Sequence, residues 1–356
     1  MKPMVSEKYE LVIGVDTHAA SHTFAVVASD TGAVLDHAVF PASAAGLLRA
    51  RGWMDRRTNG GAVLFVIEGT GSYGAILTEQ LTTAGRTVVE AARMPAADRR
   101  GKGKSDELDA VRIARSVLSL GIRELRTPRL LGSDRARVAM RVLVVAREQM
   151  TAERTRTVNA LTSLVRTVDL GIDARRPLTV KQITAIAGWR SRDEEIVAAT
   201  CRQEAVRLAR RIRALDDDLT NNRAVITELI RKDAPELLEL TGVGAVVAAS
   251  VLIAWSHPGR VRSDAAMASL AGTCPIPASS GNTTRHRLNR GGDRRLNRVL
   301  TTIAIVRMRV DPETRAYVAR RRAEGRTTKE IMRSLKRYIT RQLFRTLAAA
   351  HPIPVA

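Results

Sequence analysis

The chain has 356 residues, of which 45% are hydrophobic, so it is long enough for two or three domains with substantial cores. Its 58 Lys and Arg residues exceed its 36 Asp and Glu residues, and the net charge of +22 favours nucleic acid over a membrane surface or an acidic protein as the partner. The two cysteines form neither a disulfide framework nor a zinc motif, and a signal peptide and apolar runs of about 18 residues are lacking, which predicts a cytoplasmic protein with no membrane partner.

The first 121 residues alternate between strand-like and helix-like segments. Apolar runs bounded by turn residues predict strands, and amphipathic runs that end at glycine predict helices. Three strands, a helix, a strand, a helix, a strand and a helix are predicted over 11–16, 23–28, 34–40, 42–54, 62–68, 75–85, 86–91 and 105–121. The last helix has Ser105 as its expected N-cap and acidic residues in its first turn. This order of elements predicts an RNase H-like fold of the α/β class.

The middle of the chain, about 133–234, changes to long helical patterns. From Leu208 to Leu229, apolar residues recur at alternating steps of four and three, and Asn222 occupies one position of the same stripe. This is heptad spacing with one polar residue that can set the register of a coiled coil. A similar stripe runs through 136–168. An intramolecular hairpin, a dimer seam and a pair of core-facing helices all fit these patterns.

Residues 235–350 predict a third, mostly helical unit. The segment LLELTGVGAVVAASVLIAW (237–255) has the helix–GxG–helix pattern of a helix-hairpin-helix, in which N–H groups around Gly242 and Gly244 would grip a phosphate. A glycine-containing turn between helices with no DNA contact fits equally well. The tail 326–350 is an amphipathic basic helix with apolar residues at steps of four, which predicts docking on a core or on nucleic acid.

Four acidic residues form the candidate metal site. Asp16 and Glu68 each end an apolar strand, and Asp106 and Asp109 share one face of a predicted helix, with Cβ atoms about 5–6 Å apart. Two carboxylates about 5 Å apart repel each other by roughly 3 kcal/mol at an effective dielectric near 20. A fold avoids gathering four of them unless divalent cations lie between them, and Mg²⁺ prefers such hard oxygen ligands. Acids that merely suit a helix dipole would explain the helical pair but not the two at strand ends.

Two glycine-rich segments resemble nucleotide-binding motifs. GTGSYG (69–74) follows a strand and opens a helix, with Glu90 about 20 residues on, as in a dinucleotide fingerprint. The preceding Glu68 would then lie beside a pyrophosphate, and the charge of the chain does not suit an oxidoreductase. GKGKS (101–105) lacks the earlier glycine of a P-loop, and its lysines, Lys102 and Lys104, are expected to contact nucleic acid instead.

A second candidate site lies in PASSGNTTRHRLNRGGDRRLNRVL (277–300), which joins two adjacent serines and a glycine to a run of arginines. A serine hydroxyl beside guanidinium groups is a plausible nucleophile on phosphate, since arginine stabilises the charge that spreads over the phosphoryl oxygens. A flexible loop followed by a phosphate-binding basic stretch is the simpler interpretation. The expected nucleic-acid contacts in this stretch are Arg285, Arg287, Arg290, Arg294 and Arg295.

These motifs together resemble one family over nearly the whole chain. IGVDTH, IEGTGSYG and KSDELDAVRIA look like the three acidic motifs of the DEDD-type insertion-sequence transposases, the bridge-RNA-guided serine recombinases related to the pilin-gene invertase. The segment from LTGVGAVVAAS to RVDPETRAY looks like the C-terminal transposase domain of that family. The resemblance implies a RuvC-like DEDD domain over 1–130, a coiled-coil connection over 131–234 and a C-terminal transposase domain over 235–356.

The same resemblance implies the chemistry. Asp16, Glu68, Asp106 and Asp109 fall on the four acids of the family, which hold Mg²⁺ or Mn²⁺, and the nucleophile falls on Ser280, with Ser279 as the second choice. The reaction implied is strand exchange between donor and target double-stranded DNA through a phosphoserine, guided by a noncoding bridge RNA, in a dimer that assembles to a tetramer at the bacterial nucleoid. A metal-dependent junction nuclease without serine chemistry and a non-enzymatic basic nucleic-acid-binding protein are the alternative functions.

Overall fold

The computed structural model describes residues 3–92, 105–128, 135–279 and 286–352. The chain divides into two compact units, Met1–Arg135 and Ala136–Ala356. Within the described ranges, no helix combines the length and the apolar composition that a bilayer crossing requires.

The first unit is a five-stranded mixed sheet with helices on both faces. Its strands are β1 (Leu11–Thr17), β2 (Ser21–Ala28), β3 (Val34–Pro41), β4 (Val63–Ile67) and β5 (Thr87–Glu90), and its helices are α1 (Val5–Lys8), α2 (Ala44–Thr58), α3 (Ala75–Thr83) and α4 (Asp106–Arg115). The spatial order is β3-β2-β1-β4-β5, with β1 antiparallel to β2 and parallel to β4. The predicted order of strands and helices is confirmed, apart from the end of α4, and the arrangement is consistent with an RNase H-like domain.

Alternation along β1 sorts its side chains between two cores. Ile13 and Val15 belong to the cluster on the α2 side, which includes Phe24 and Trp53. Val12 belongs to the cluster on the opposite side, where α4 packs. Successive side chains of a strand point to opposite faces, so positions 14 and 16 share the α4 face with Val12. Burial on both faces explains why β1 and β4 read as unbroken apolar runs.

Helix α4 ends earlier than the sequence predicts. The glycine signal placed its end at residue 121, but the helix stops at Arg115. The hydroxyl of the next residue, Ser116, donates to the carbonyl of Ile113 (2.7 Å) and accepts from the amide of Ala92 (3.2 Å). A serine side chain that bonds the main chain locally competes with helix continuation, which is the physical reason for the early end.

The second unit is almost entirely helical. Its elements are α5 (Arg135–Thr167), α6 (Val180–Ala187), α7 (Ile196–Asp233), α8 (Ala245–Trp255), α9 (Asp264–Leu270), β6 (Ile276–Pro277), β7 (His286–Arg287), α10 (Arg294–Val310), α11 (Pro312–Ala323) and α12 (Thr328–Ala350). Helix α8 lies in the core of this unit, where Ala248, Ala249 and Val251 are fully buried.

The two long helices α5 and α7 pair with each other within one chain. Arg154 contacts Asp216 (3.2 Å), and the Asn222 amide donates to the carbonyl of Leu143 (3.0 Å). The contact residue on α5 rises from 143 to 154 while its partner on α7 falls from 222 to 216, so the two helices are antiparallel. The guanidinium of Arg147 donates to the Leu219 carbonyl (2.7 Å) and lies 3.4 Å from the Asn222 amide oxygen. The stripe asparagine is therefore buried between the helices and hydrogen-bonded on both of its polar atoms.

Helix α12 docks its apolar stripe on the core of the second unit, which confirms the amphipathic helix read from the tail. Its five stripe residues are buried: Ile331, Leu335, Ile339, Leu343 and Leu347. The basic residues of the same helix are left on its other faces. The GxG turn before α8 contains Gly242 at φ +83°, a left-handed conformation that favours glycine, and it follows a single 3₁₀ turn, Pro235–Leu237.

Candidate functional site

Asp16 and Glu68 lie at the carboxyl ends of adjacent parallel strands. Val15 of β1 pairs with Ile67 of β4, and the Glu68 amide continues the ladder by donating to the Val15 carbonyl (3.1 Å). The Thr17 hydroxyl donates to the Glu68 carbonyl (2.8 Å), which ties the two strand ends together. Asp16 is only 8% exposed, although it carries a carboxylate.

Helix α4 brings the other two acids to Asp16, and Gly14 is the residue that permits it. A Cβ at Gly14 would lie 2.1 Å from the Ala110 carbonyl oxygen and 2.8 Å from the Ala114 Cβ, so the helix backbone rests directly on the strand. Ser105 caps the helix by accepting from the Leu108 amide (3.2 Å). The first turn of α4 therefore lies above the end of β1, two residues beyond the glycine.

The pKa of the Asp16 carboxyl group is affected by the three other acids of the site. Burial raises the pKa of the Asp16 carboxyl above its ordinary value, and the negative charges of Glu68, Asp106 and Asp109 raise it further. Only His18 acts in the opposite direction. The structure thus brings all four sequence-predicted acids into one electrostatic cluster, in which the carboxylates repel one another and positive charge is favoured.

The tightest group of possible metal ligands is Asp16, His18 and Asp106, whose ligand atoms all lie within 4.8 Å of one another. The imidazole Nδ1 of His18 lies 3.8 Å from an Asp16 oxygen. Carboxylate oxygens with one imidazole are a donor set that suits a divalent cation, and an acidic cluster with a desolvated carboxylate fits such an ion. His18 was not included in the metal site predicted from the sequence, although its position two residues after Asp16 was visible.

Arg112 is a neighbour of the site that the sequence reasoning did not identify. Its guanidinium donates to an Asp109 oxygen (2.9 Å), while its other terminal nitrogen is buried and has no hydrogen-bond partner among the described residues. Spacing of three on a helix was the available signal. The third acid in the first turn, Glu107, faces elsewhere and lies 3.3 Å from His37.

The glycine-rich segment 69–74 forms the turn between β4 and α3. The hydroxyl of Thr70, which is 2% exposed, donates to the Glu90 carboxylate (2.9 Å). Glu90 corresponds to the acid that binds the ribose in a dinucleotide fingerprint, but here its carboxylate is hydrogen-bonded to the glycine-rich turn.

The predicted nucleic-acid contacts of the second unit occupy different environments. Arg287, Arg290 and Arg294 are exposed. Arg295 instead forms a two-pronged ion pair with Glu148 of α5 (2.9 and 2.6 Å), so it holds α10 to α5. Ser279 is exposed, next to β6. Four predicted site residues lie outside the described ranges: Ser280, Lys102, Lys104 and Arg285.

A cleft of converging carboxylates on an RNase H-like sheet, in a chain of net charge +22, defines a metal-dependent enzyme that acts on nucleic acid. Residues 13–168, which contain all four acids, match the DEDD transposase profile of the IS110 group. Residues 234–319 match the profile described as the transposase IS116/IS110/IS902 family. The chain belongs to this family and is a DNA transposase.

Two relatives extend the comparison along the chain. The uncharacterized 42 kDa protein of insertion element IS900 from Mycobacterium paratuberculosis is 29% identical over 91% of this chain and 92% of its own length. The uncharacterized 43.6 kDa protein of insertion element IS110 from Streptomyces coelicolor is 34% identical over 115 residues, which are 32% of this chain and 28% of that protein. The chain is thus similar to proteins encoded by mobile elements.

Proposed function

We propose that the acidic cleft binds Mg²⁺ or Mn²⁺ and catalyses phosphodiester cleavage and strand transfer during transposition. The observation that carries this proposal is the convergence of three acids on the desolvated carboxylate of Asp16. Bound divalent ions would neutralise the repelling carboxylates and polarise the phosphate oxygens. Within the described residues, Arg112 and His18 offset only part of the charge of the four acids, so a purely structural role leaves the rest uncompensated.

The residues of the cleft have distinct proposed tasks. Asp16 and Asp106 would supply the first oxygen ligands, and Glu68 and Asp109 the others, because all four charges act at one point. Arg112 would hold the Asp109 carboxylate in one orientation through its 2.9 Å hydrogen bond. Thr17 would keep the two strand ends in register, and with them the two acids that the strands carry.

We further propose that Ser280 is the nucleophile, as the family resemblance implies, with Ser279 as the second choice. Its oxygen would attack the scissile phosphorus and lose the hydroxyl proton, and the DNA oxygen that leaves would take up a proton. Attack by the hydroxyl of the exchanged strand on the phosphoserine would then rejoin the DNA and restore the serine. The basic stretch after this loop supports the proposal, since Arg287, Arg290 and Arg294 are exposed near it in the sequence.

The finer architecture is proposed on the same basis. The first unit would be RuvC-like, and the antiparallel pair of α5 and α7 would form the coiled-coil connection between domains. The turn at Gly242 and Gly244 would act as a helix-hairpin-helix on a phosphate, because α8 begins directly after it and no side-chain hydrogen bond among the described residues caps the start of that helix. Guidance by a bridge RNA, assembly to a tetramer and residence at the bacterial nucleoid rest on the family resemblance alone.

The test uses end-labelled DNA from the ends of the mobile element, incubated with the full-length protein and the noncoding RNA of the element in Mg²⁺ or EDTA and analysed on denaturing protein gels. We expect a covalent protein–DNA adduct that Ser280→Ala abolishes and Ser279→Ala retains, and cleavage that Asp106→Asn abolishes. Glu107→Gln is the matched control on the same helical turn, because Glu107 faces His37. Cleavage to free ends without any adduct would support a metal-dependent nuclease instead, and metal-independent binding without cleavage would contradict an enzymatic cleft.

A further inference from the structure

A strongly basic groove lies in the second unit, away from the acidic cleft in sequence, and we call it the α12 groove. It has a volume of about 1270 Å³, and its lining contains seven Lys or Arg side chains and one carboxylate, Glu330. Arg333, Lys336, Arg337 and Arg341 of α12 contribute four of these cations. None of these residues was singled out from the sequence, where the tail helix showed only a general basic face.

Lys336 is a partly buried cation of the groove. Its ammonium donates to the Asn297 amide oxygen (2.6 Å) and the Thr301 hydroxyl (3.2 Å), and burial lowers its pKa. Among the described residues, no carboxylate forms an ion pair with it. An ammonium group has three donors, so two neutral partners leave one N–H for an anion. A partly desolvated cation without a counter-ion favours anion binding in the groove.

Arg337 and Arg341 are held in place on one carboxylate. Both guanidiniums contact the same Asp264 oxygen, at 3.4 Å and 3.0 Å, at the start of α9. Two guanidinium groups on one carboxylate retain a net positive charge and have already lost part of their side-chain freedom. Arg333, by contrast, is exposed and forms no ion pair among the described residues. The groove thus presents both positioned and free cations.

The groove adjoins strand β7, which directly follows the loop segment 278–285 that carries the proposed nucleophile. Strands β6 and β7 pair Ile276 with Arg287 and Pro277 with His286, and this loop connects them. Both residues of β7 also line the groove. The groove lining therefore includes the two residues that directly follow the loop segment in the chain.

The base of this loop is fixed to the groove by a short chain of contacts. The Asn297 amide, which accepts from Lys336, donates to the Ala271 carbonyl (2.7 Å). Next to it, a Cβ at Gly272 would lie 2.5 Å from the Gly291 carbonyl oxygen, so the two arms that lead to the loop touch through their backbones. The position of the Lys336 ammonium is thereby linked to the position of the loop base.

We infer that the α12 groove binds the phosphodiester backbone of duplex DNA, with Arg333 and Lys336 as phosphate contacts. The groove is lined by one Tyr, Tyr338, and seven Lys or Arg side chains, whereas a surface that stacks successive single-stranded bases needs several aromatic rings, so the lining favours contacts to a duplex backbone. DNA in this groove lies beside His286 and Arg287, which directly follow the segment 278–285 in the chain. A role for this DNA as the substrate of the proposed serine nucleophile rests on the proposed function, whereas the binding of DNA in the groove does not.

The experiment measures binding of a short labelled duplex to the full-length protein by fluorescence anisotropy, in EDTA, over a series of salt concentrations. Arg333→Gln and Lys336→Met are compared with Arg309→Gln, which removes an equal charge from an exposed position outside the groove. Each groove variant is expected to bind more weakly and to make the slope of log affinity against log salt shallower by about 0.9 for the lost contact. Arg309→Gln is expected to keep the wild-type slope.

Groove variants whose affinity and slope equal those of Arg309→Gln would overturn the assignment, as would a loss confined to single-stranded RNA. Arg333→Gln keeps the test decisive if Lys336→Met fails to fold, because Arg333 is exposed. The measurement requires neither metal nor cleavage. Failure of the serine proposal would appear as an adduct that persists in Ser280→Ala, and failure of the groove proposal as unchanged salt slopes, so the two are distinguishable.

Discussion

The approach of α4 to β1 at Gly14 gives the most direct test of how the fold builds the cleft. In Gly14→Ala, the new methyl group would meet the Ala110 carbonyl oxygen at 2.1 Å, against an ordinary contact of about 3.4 Å. The helix must therefore retreat by about 1.3 Å, and it carries Asp106 and Asp109 with it. Overpacking of this kind costs about 1–3 kcal/mol of unfolding free energy. A misplacement of about 1 Å at a catalytic centre can cost about 100-fold in rate.

The assay combines thermal unfolding with metal-dependent cleavage of element-end DNA. Gly14→Ala is expected to melt at a lower temperature and to cleave about 100-fold more slowly, even at temperatures at which it stays folded. Gly52→Ala is the matched control in the same unit, since its Cβ would meet only the end of the Arg56 side chain at 3.5 Å. Alanine in a helix interior is favoured over glycine by about 0.5–1 kcal/mol, so this variant should not lose stability. A Gly14→Ala protein with wild-type melting and cleavage would refute the reasoning.

Three further predictions follow from the described contacts. Asp16→Asn is expected to abolish cleavage. In EDTA the same variant should melt at a temperature about 2–4 °C higher, because it removes one of four repelling charges. The control Asp36→Asn should melt at a lower temperature, because it removes the ion pair with Arg57. The hydrogen bond from Arg202 holds the pKa of Glu194 below its usual range. The pair therefore stabilises the fold at neutral pH and loses that contribution as the pH falls through the folded-state pKa of Glu194. Glu194→Gln should lose less melting temperature on acidification than the wild type, and an equal loss would contradict the assignment. Asn222→Ala is expected to lower the unfolding free energy in urea by about 0.5–1.5 kcal/mol, and an unchanged midpoint would show that its hydrogen bond between the long helices contributes nothing.

Local patterns predicted the elements of the first unit because strand and helix periodicities are properties of neighbouring residues. The apolar runs that end at Asp16 and Glu68 predicted two strands, and the structure has them adjacent, parallel and buried on both faces. The end of α4 was predicted wrongly, since the hydroxyl of Ser116 bonds both its own helix and the amide of Ala92. A distant partner of that kind leaves no periodic signal.

The heptad stripe showed that two long helices would bury a seam, but it could not distinguish an intramolecular pair from a dimer. The contacts of Asn222 with Leu143 and Arg147 place the seam within one chain. Periodicity specifies which face of a helix is buried, whereas the identity of the covering surface depends on chain topology. The same limit applied to Arg295, which reads as a phosphate contact in the sequence and pairs with Glu148 in the structure.

The residue types and their spacing alone were sufficient to indicate a basic nucleic-acid enzyme with an acidic site. Net charge, the alternation of strand and helix patterns, and acids at strand ends can all be determined from the amino-acid sequence. Only the folded chain decided which groups meet: His18 joins Asp16 and Asp106, Glu107 turns away, and the cations of α12 line a groove together with the residues of β7. Such encounters depend on long-range packing, here on a glycine that lets a helix backbone rest on a strand, and a one-dimensional pattern carries no record of distances in space.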